Sequence, residues 1–399
     1  MNTQKLTRDQ KLLIAFSALR NVTELFLGTF LISFIMHLAA NQILSVSIYN
    51  LFQYVTTCAG FFLFANWCKR RNKVTVFAMH LIPKVALLLS IIILGDRCAE
   101  YVIPLGVLYG ISAAMYYLPA NTMTGEKVHP KMMNRYIGTR NAINYAVKII
   151  APMTLGFFIS EASYVDLAYV LLGVVLVELI LMRGLTPSHH KSKQGFDIAG
   201  FCRCIFRFPV IRRLFAMEIM RGFGLGLLST VITMYTVYMF KTDLNLGIFT
   251  TIFAGCSIVT SWAFGRWGKQ KYWPYILGVA MLIIMGAISL FVYNTTPITF
   301  LVYNLVYATA IIVIDQASAV NVFRLSRSRC VTANHKIEYF VFRDAALFIG
   351  RWIGFVGLMY IGVFGGYDWL RWYLLFITGV IILFGITSYQ LNEKMRVRR

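Results

Sequence analysis

The sequence predicts an all-α polytopic membrane protein, with twelve transmembrane helices arranged as two parallel six-helix repeats, and three observations carry that prediction. Of 399 residues, 58% are hydrophobic, 15% aromatic and only 14% charged, and the mean hydropathy is +0.68, far from the balance of a soluble two-domain protein. Apolar windows of about 20 residues, the length that crosses a hydrocarbon core, can be placed twelve times with short gaps between them. The chain is also written twice. Tyr136-Ile137-Gly138-Thr139-Arg140-Asn141-Ala142 with Lys148 returns 203 residues later as Tyr339-Phe340-Val341-Phe342-Arg343-Asp344-Ala345 with Arg351, and Arg20 answers to Arg221 at a spacing of 201. Trp67 with Lys69 and Tyr109 have similar counterparts in Trp267 with Lys269 and Tyr307.

In chain order the spans fall near residues 12–36, 42–66, 74–94, 102–122, 140–163 and 166–183, then 214–240, 246–267, 273–294, 298–323, 340–364 and 370–390. All are rich in Leu, Ile, Val, Phe, Met and Gly and lack the short apolar-polar alternation of an outer-membrane barrel. The first follows Lys5, Arg8 and Lys11 and is longer than a signal-peptide core, so it is expected to be retained. Residues 1–183 form the first six-helix bundle, 184–213 a hydrophilic linker and 214–399 the second bundle. Inside the linker, Phe201, Ile205, Phe206 and Phe208 alternate with Arg203 and Arg207, a pattern suited to a short amphipathic helix in the headgroup region. His189 and His190 lie in the same linker.

A net charge of +22 invites a nucleic-acid partner, but its distribution points elsewhere. Of the 38 Lys and Arg, 28 fall on the side holding both termini and the loops 67–73, 123–139, 183–213, 266–272 and 324–338, whereas only Arg97, Lys241 and Arg371 sit opposite. That is the positive-inside pattern, which predicts cytoplasmic termini in a plasma or inner membrane and no nucleic-acid partner. The seven cysteines show no metal-ligand spacing and read as unpaired thiols. His37 and His80 are solitary within the helices, so no metal and no cofactor is expected.

Two sequential six-helix repeats, both ends on one side, with a basic loop between spans six and seven, resemble the major facilitator superfamily of secondary transporters. The halves share one orientation because each has an even number of crossings, as in that family. The family loop Gly-x-Leu-Ala-Asp-Arg-x-Gly-Arg-Arg is matched by Gly60-Phe61-Phe62-Leu63-Phe64-Ala65-Asn66-Trp67-Cys68-Lys69-Arg70-Arg71, with Asn66 where the acid belongs. The second half keeps Arg266-Trp267-Gly268-Lys269 with Gly265 at the acid position. Ala151-Pro152-Met153-Thr154-Leu155-Gly156 loosely resembles the Gly-Pro segment of family antiporters. The resemblance implies a small-molecule substrate, a coupling proton or sodium ion, and a cavity walled by spans one and seven. It also implies that spans five and eleven meet across the interface of the halves, making Arg140, Asn141, Arg343 and Asp344 gate contacts.

Charges inside apolar segments are costly, so each must face a partner or a wet cavity. Counting 1.5 Å per residue places Glu24, Lys84, Lys148 and Arg351 near the midplane, and Arg20, Arg221, Glu218 and Asp315 one to two turns towards the termini. Arg20 with Glu24 and Glu218 with Arg221 share helix faces and can neutralise each other. On the other reading, symmetric Arg20 and Arg221 form a clamp for an anion, since guanidinium binds carboxylate or phosphate with paired hydrogen bonds. Asn141, Asn144, Tyr145 and Lys148 follow the spacing of one helix face, and Lys148, Arg351, Tyr117 and Asn121 are further candidates for substrate binding. Glu24 and Asp315 are candidate proton carriers or plain counter-ions. Lys84 and Glu178 are expected to be structural.

The leading functional expectation is therefore an alternating-access secondary transporter for a small anionic solute, such as an organic acid or phosphorylated metabolite. Seven intramembrane cations, with Arg140 included, stand against five anions. Alternatives are an efflux pump or flippase for an amphipathic or lipid-like compound and, from other classes, an integral membrane enzyme or a transport-dead sensor. No phosphate-binding Gly-x-x-x-x-Gly-Lys-Ser/Thr loop occurs in the chain, and no clustered nucleophile-base constellation points to an enzyme.

Overall fold

Backbone groups inside a bilayer must pair within their own segment, which makes the helix the natural element for these apolar runs. The computed structural model describes residues 6–70, 73–128, 132–187, 196–267, 272–326 and 336–397. Twelve of its helices are long and apolar enough to cross a membrane. The histidines His189 and His190, Cys330 and the Gly268-Lys269 part of the second basic loop lie outside the described residues.

The first compact unit comprises residues 1–196 together with Thr242–Thr251. Its helices are α1 (Arg8–Leu38), α2 (Gln42–Arg70), α3 (Lys73–Ala99), α4 (Val102–Lys127), α5 (Met133–Glu161) and α6 (Tyr164–Met182). Helix α1 starts at a capping box, in which Thr7 Oγ1 accepts from Gln10 N and Gln10 Oε1 accepts from Thr7 N. Ser163 caps α6 by accepting from Asp166 N at 3.1 Å. Helices α2 and α4 approach until their backbones touch. A Cβ on Gly106 would lie 2.4 Å from Tyr49 O and one on Gly110 2.4 Å from Gln53 O, the small-residue seam by which apolar helices pack in lipid. Gly110→Ala is expected to cost about 1–3 kcal/mol by overpacking, read as a lowered Tm in detergent, whereas Gly173→Ala, with open space around it, should leave Tm unchanged.

The second unit comprises residues 197–241 and 252–399. It begins with α7 (Ile198–Arg207), capped by Asp197 Oδ1 accepting from Gly200 N, and continues with α8 (Pro209–Phe240), whose first residue is the favourable N-terminal proline. Then follow α9 (Asp243–Trp267), which begins within the first unit, α10 (Trp273–Tyr293), α11 (Pro297–Ser326), α12 (Lys336–Phe364) and α13 (Gly366–Val397). The short helix expected in the linker is α7. Its Phe201 is fully buried against Phe342 with ring centroids 5.2 Å apart, while Phe206 stays 75% exposed.

Two features depart from the sequence expectation. Helix α5 starts at Met133 and not near residue 140, and α12 starts at Lys336. Hydropathy marks only the apolar part of a helix, and both continue beyond it, so Arg140 and Arg343 sit well inside their helices instead of at their ends. Helices α1 and α8 each contain a π-helical turn, Phe26–Phe30 and Gly222–Gly226, immediately beyond their arginine and carboxylate pairs. Such turns recur at functional sites and leave no mark in hydropathy.

Candidate functional site

In the first unit the buried charges converge on α1, α3, α4 and α6. Arg20 is 1% exposed and pairs with Glu24, N to O 3.0 Å, one turn along the same helix. Its guanidinium sits 5.0 Å from the Tyr116 ring centroid, 5.6 Å from Tyr117 and 5.8 Å from Tyr109, an aromatic box well matched to a desolvated cation. Tyr117 Oη donates to Glu24 Oε1. Arg20 Nη1 donates to Ser112 Oγ at 3.4 Å, and Ser112 Oγ donates onward to His80 O at 3.3 Å. A turn further along α3, Lys84 Nζ donates to both oxygens of Glu178 at 2.8 Å, with neither side chain exposed beyond 1%. A chain of polar contacts thus runs through the interior of the unit.

Helix α5 contributes a different surface. Asn144 Nδ2 donates to Ser17 Oγ at 2.9 Å, tying α5 to α1. Asn141 is half-buried, and Arg140 lies 6.0 Å from the Tyr136 ring centroid. Lys148 is exposed, at the centre of the span Tyr136–Glu161, with no ion pair among the described residues. Asn121 is also exposed, one turn beyond Tyr117 on α4. At the far end of α1, Ser33 Oγ donates to Asp243 Oδ1 at 2.6 Å and His37 Nε2 lies 3.6 Å from Asp243 Oδ2. The segment Thr242–Thr251 is held there because Gly247 meets Pro152 O and Gly156 without side chains between.

In the second unit Arg221 Nε donates to Asp315 Oδ1 at 2.8 Å, and its Nη1 to Glu218 Oε2 at 3.4 Å. Glu218 is fully buried, whereas Arg221 and Asp315 are 22% and 35% exposed. One guanidinium therefore serves two carboxylates, one from its own helix and one from α11. Arg343 pairs with its neighbour Asp344, and its Nε is buried without a hydrogen bond among the described residues. Arg351 stacks 5.5 Å from the Phe348 ring centroid.

The structure brings Arg20, Glu24 and Tyr117 together, and separately Arg221 and Asp315. Arg20 is closed to solvent and already neutralised in this state, so any anion would have to displace Glu24 from it. Sequence reasoning set Lys84 and Glu178 aside as structural, and they form a mutual pair. It missed Ser112 and Ser17, whose only mark is a hydroxyl in an apolar helix, and it read His37 and His80 as solitary, whereas His37 meets Asp243 and the His80 carbonyl accepts from Ser112.

The model of the Major Facilitator Superfamily matches residues 15–332. The chain is 22% identical over 321 residues to the uncharacterised protein YqgE of Bacillus subtilis (strain 168), covering 78% of this chain and 73% of that one. Among solved structures, a D-xylose–proton symporter is similar with a TM-score of 0.70 at 11% identity, covering 95% of this chain and 96% of the other. The human organic anion transporter MFSD10 is similar with a TM-score of 0.64 at 11% identity over 96% and 99% of the two chains. Likeness at such identity carries the fold, in agreement with twelve spanning helices and the internal repeat. Because the family model covers well over half the chain, the protein belongs to the Major Facilitator Superfamily: it is a secondary transporter integral to the membrane, and not an enzyme.

Proposed function

We propose that the protein moves a small anionic solute, an organic acid or phosphorylated metabolite, together with a proton. The observation that carries this reading is Lys148. An ammonium cannot face hydrocarbon at the middle of a span without a large cost, yet Lys148 is exposed there and has no ion-pair partner among the described residues. It therefore faces water, on the same helix face as Asn141 and Asn144, and is available to a carboxylate or phosphate.

Arg20 and Arg221 are the more buried anion sites of this proposal, and their acids suggest the coupling. While Glu24 is ionised it occupies Arg20, and while Asp315 is ionised it occupies Arg221. Protonation of the carboxylate frees the guanidinium, and one negative charge of the entering anion restores the charge balance, so one proton accompanies each unit of anionic charge seated on an arginine. Glu218 and Asp315 both contact Arg221, so two carboxylates share one guanidinium. Arg351, Tyr117 and Asn121 complete the proposed substrate contacts, and Arg140, Asn141, Arg343 and Asp344 the gate. The distribution of Lys and Arg supports cytoplasmic termini. The relatives' names are diverse, a D-xylose symporter beside an organic anion transporter, so the substrate class rests on charge alone.

In proteoliposomes, Lys148→Gln is expected to raise KM for anion uptake by about tenfold or more, the loss of one charge-assisted contact, while a neutral solute of equal size is not carried by either protein. Unchanged anion uptake in Lys148→Gln and in Arg221→Gln together would overturn the reading.

A further inference from the structure

A groove of about 660 Å³ opens in the second unit where α12 turns into α13. The turn is Gly365-Gly366, the second glycine at φ +62, a left-handed conformation that side chains rarely adopt. Its floor depends on small residues. A Cβ at Gly357 would meet Tyr373 Oη at 2.5 Å, and Tyr373 lies across the floor with its Oη donating to Gly354 O at 2.7 Å. The walls are aromatic and open outward: Tyr360, Trp369, Trp372 and Phe376 are each more than half exposed, at 57%, 52%, 58% and 59%.

Polarity is graded along this groove. The span begins at Gly366, so at 1.5 Å per residue Asp368 lies about 3 Å, Arg371 about 8 Å and Phe376 about 15 Å along it. Trp and Tyr favour the membrane interface, and an arginine at that depth reaches back towards the headgroups. Arg371 Nε is buried with no hydrogen-bond partner among the described residues, and its guanidinium packs 5.9 Å from the Trp372 ring centroid. Arg371 itself lines the groove. Asp368, one turn nearer the membrane surface, lines the same groove. The groove thus presents a cation, an anion above it and an aromatic wall below.

That order matches one class of molecule. We propose that the groove holds a single amine-bearing glycerophospholipid, with its phosphate on Arg371, its ammonium at Asp368 and an acyl chain along Trp372 and Phe376. Phosphate supplies the planar acceptor pair that guanidinium takes. A primary ammonium, two methylenes from the phosphate ester, spans the one-turn separation of the two charged residues and keeps N–H donors for the carboxylate. A choline headgroup lacks those donors, and a glycerol headgroup lacks the positive charge. This lipid site does not depend on the identity of the transported solute.

The experiment measures thermal unfolding and native mass spectra of the full chain in detergent, titrated with phosphatidylethanolamine, phosphatidylcholine or phosphatidylglycerol of the same acyl composition. Phosphatidylethanolamine is expected to give the largest rise in Tm and one retained lipid, because a ligand bound to the folded state stabilises it. Arg371→Gln should weaken that binding by about tenfold or more, Arg371→Lys should keep part of it, and Asp368→Asn should lower phosphatidylethanolamine to the level of phosphatidylcholine. Glu161→Gln, in the first unit, should leave the response intact. If the three lipids act equally on the wild-type protein, or if Arg371→Gln and Asp368→Asn both keep the full preference, the proposal is overturned. A matching response to soluble phosphoethanolamine would overturn the lipid assignment in favour of a free headgroup. Should Arg371→Gln fail to fold, Arg371→Lys and Asp368→Asn still decide the matter.

Discussion

Glu178→Ala is expected to destabilise the first unit by about 3–5 kcal/mol, because it leaves Lys84 as an unpaired charge where no water reaches. Both side chains are fully buried, and Lys84 Nζ makes two 2.8 Å hydrogen bonds to the one carboxylate. Lys84→Ala should cost a similar amount by stranding Glu178, with His80 Nε2 at 3.9 Å too distant to replace the ammonium. The double variant Lys84→Met, Glu178→Leu should recover most of the loss, since well-packed apolar side chains often match a buried pair. Thermal unfolding in detergent separates these outcomes: single variants as stable as the parent would mean that water enters between α3 and α6. If the double variant is stable and still transports, the pair acts only in packing.

The largest functional effect is expected at Asp315. Asp315→Asn should reduce uptake driven by a pH gradient by about tenfold or more, a coupling contribution of at least about 1.4 kcal/mol, while exchange of solute across the membrane without a gradient continues. The reason is geometric: Asp315 is the more exposed of the two acids on Arg221, at 35%, and Glu218 is sealed. Glu218→Gln should therefore alter stability more than coupling. Gradient-driven uptake that persists in Asp315→Asn and disappears in Glu24→Gln would move the proton to the first unit.

The twelve spans were legible because burial in lipid selects long apolar runs whatever their tertiary contacts, and the repeat was legible because duplicated residues keep their spacing. The pairing of Arg20 with Glu24 followed from a separation of four on one helix. The bond between Arg221 and Asp315 did not, because 94 residues separate them and only packing brings α8 beside α11. Nor did spacing reveal that Ser112 links Arg20 to the backbone of His80, since a serine in an apolar helix usually bonds its own preceding turn. The start of α5 at Met133 was hidden for a third reason: helices outlast the hydrocarbon, and hydropathy falls silent at its edge.

The π turn at Phe26–Phe30 rephases every residue beyond it on α1. One extra residue in a helix turn rotates the remainder of the helix by about 100°. Arg20 and Glu24 before it, and Ser33 and His37 after it, therefore belong to two helical wheels offset by one position. A cysteine-accessibility scan along α1 should show a regular rhythm of about 3.6 residues that skips a beat at Phe26–Phe30, and the same phase jump should recur in α8 at Gly222–Gly226.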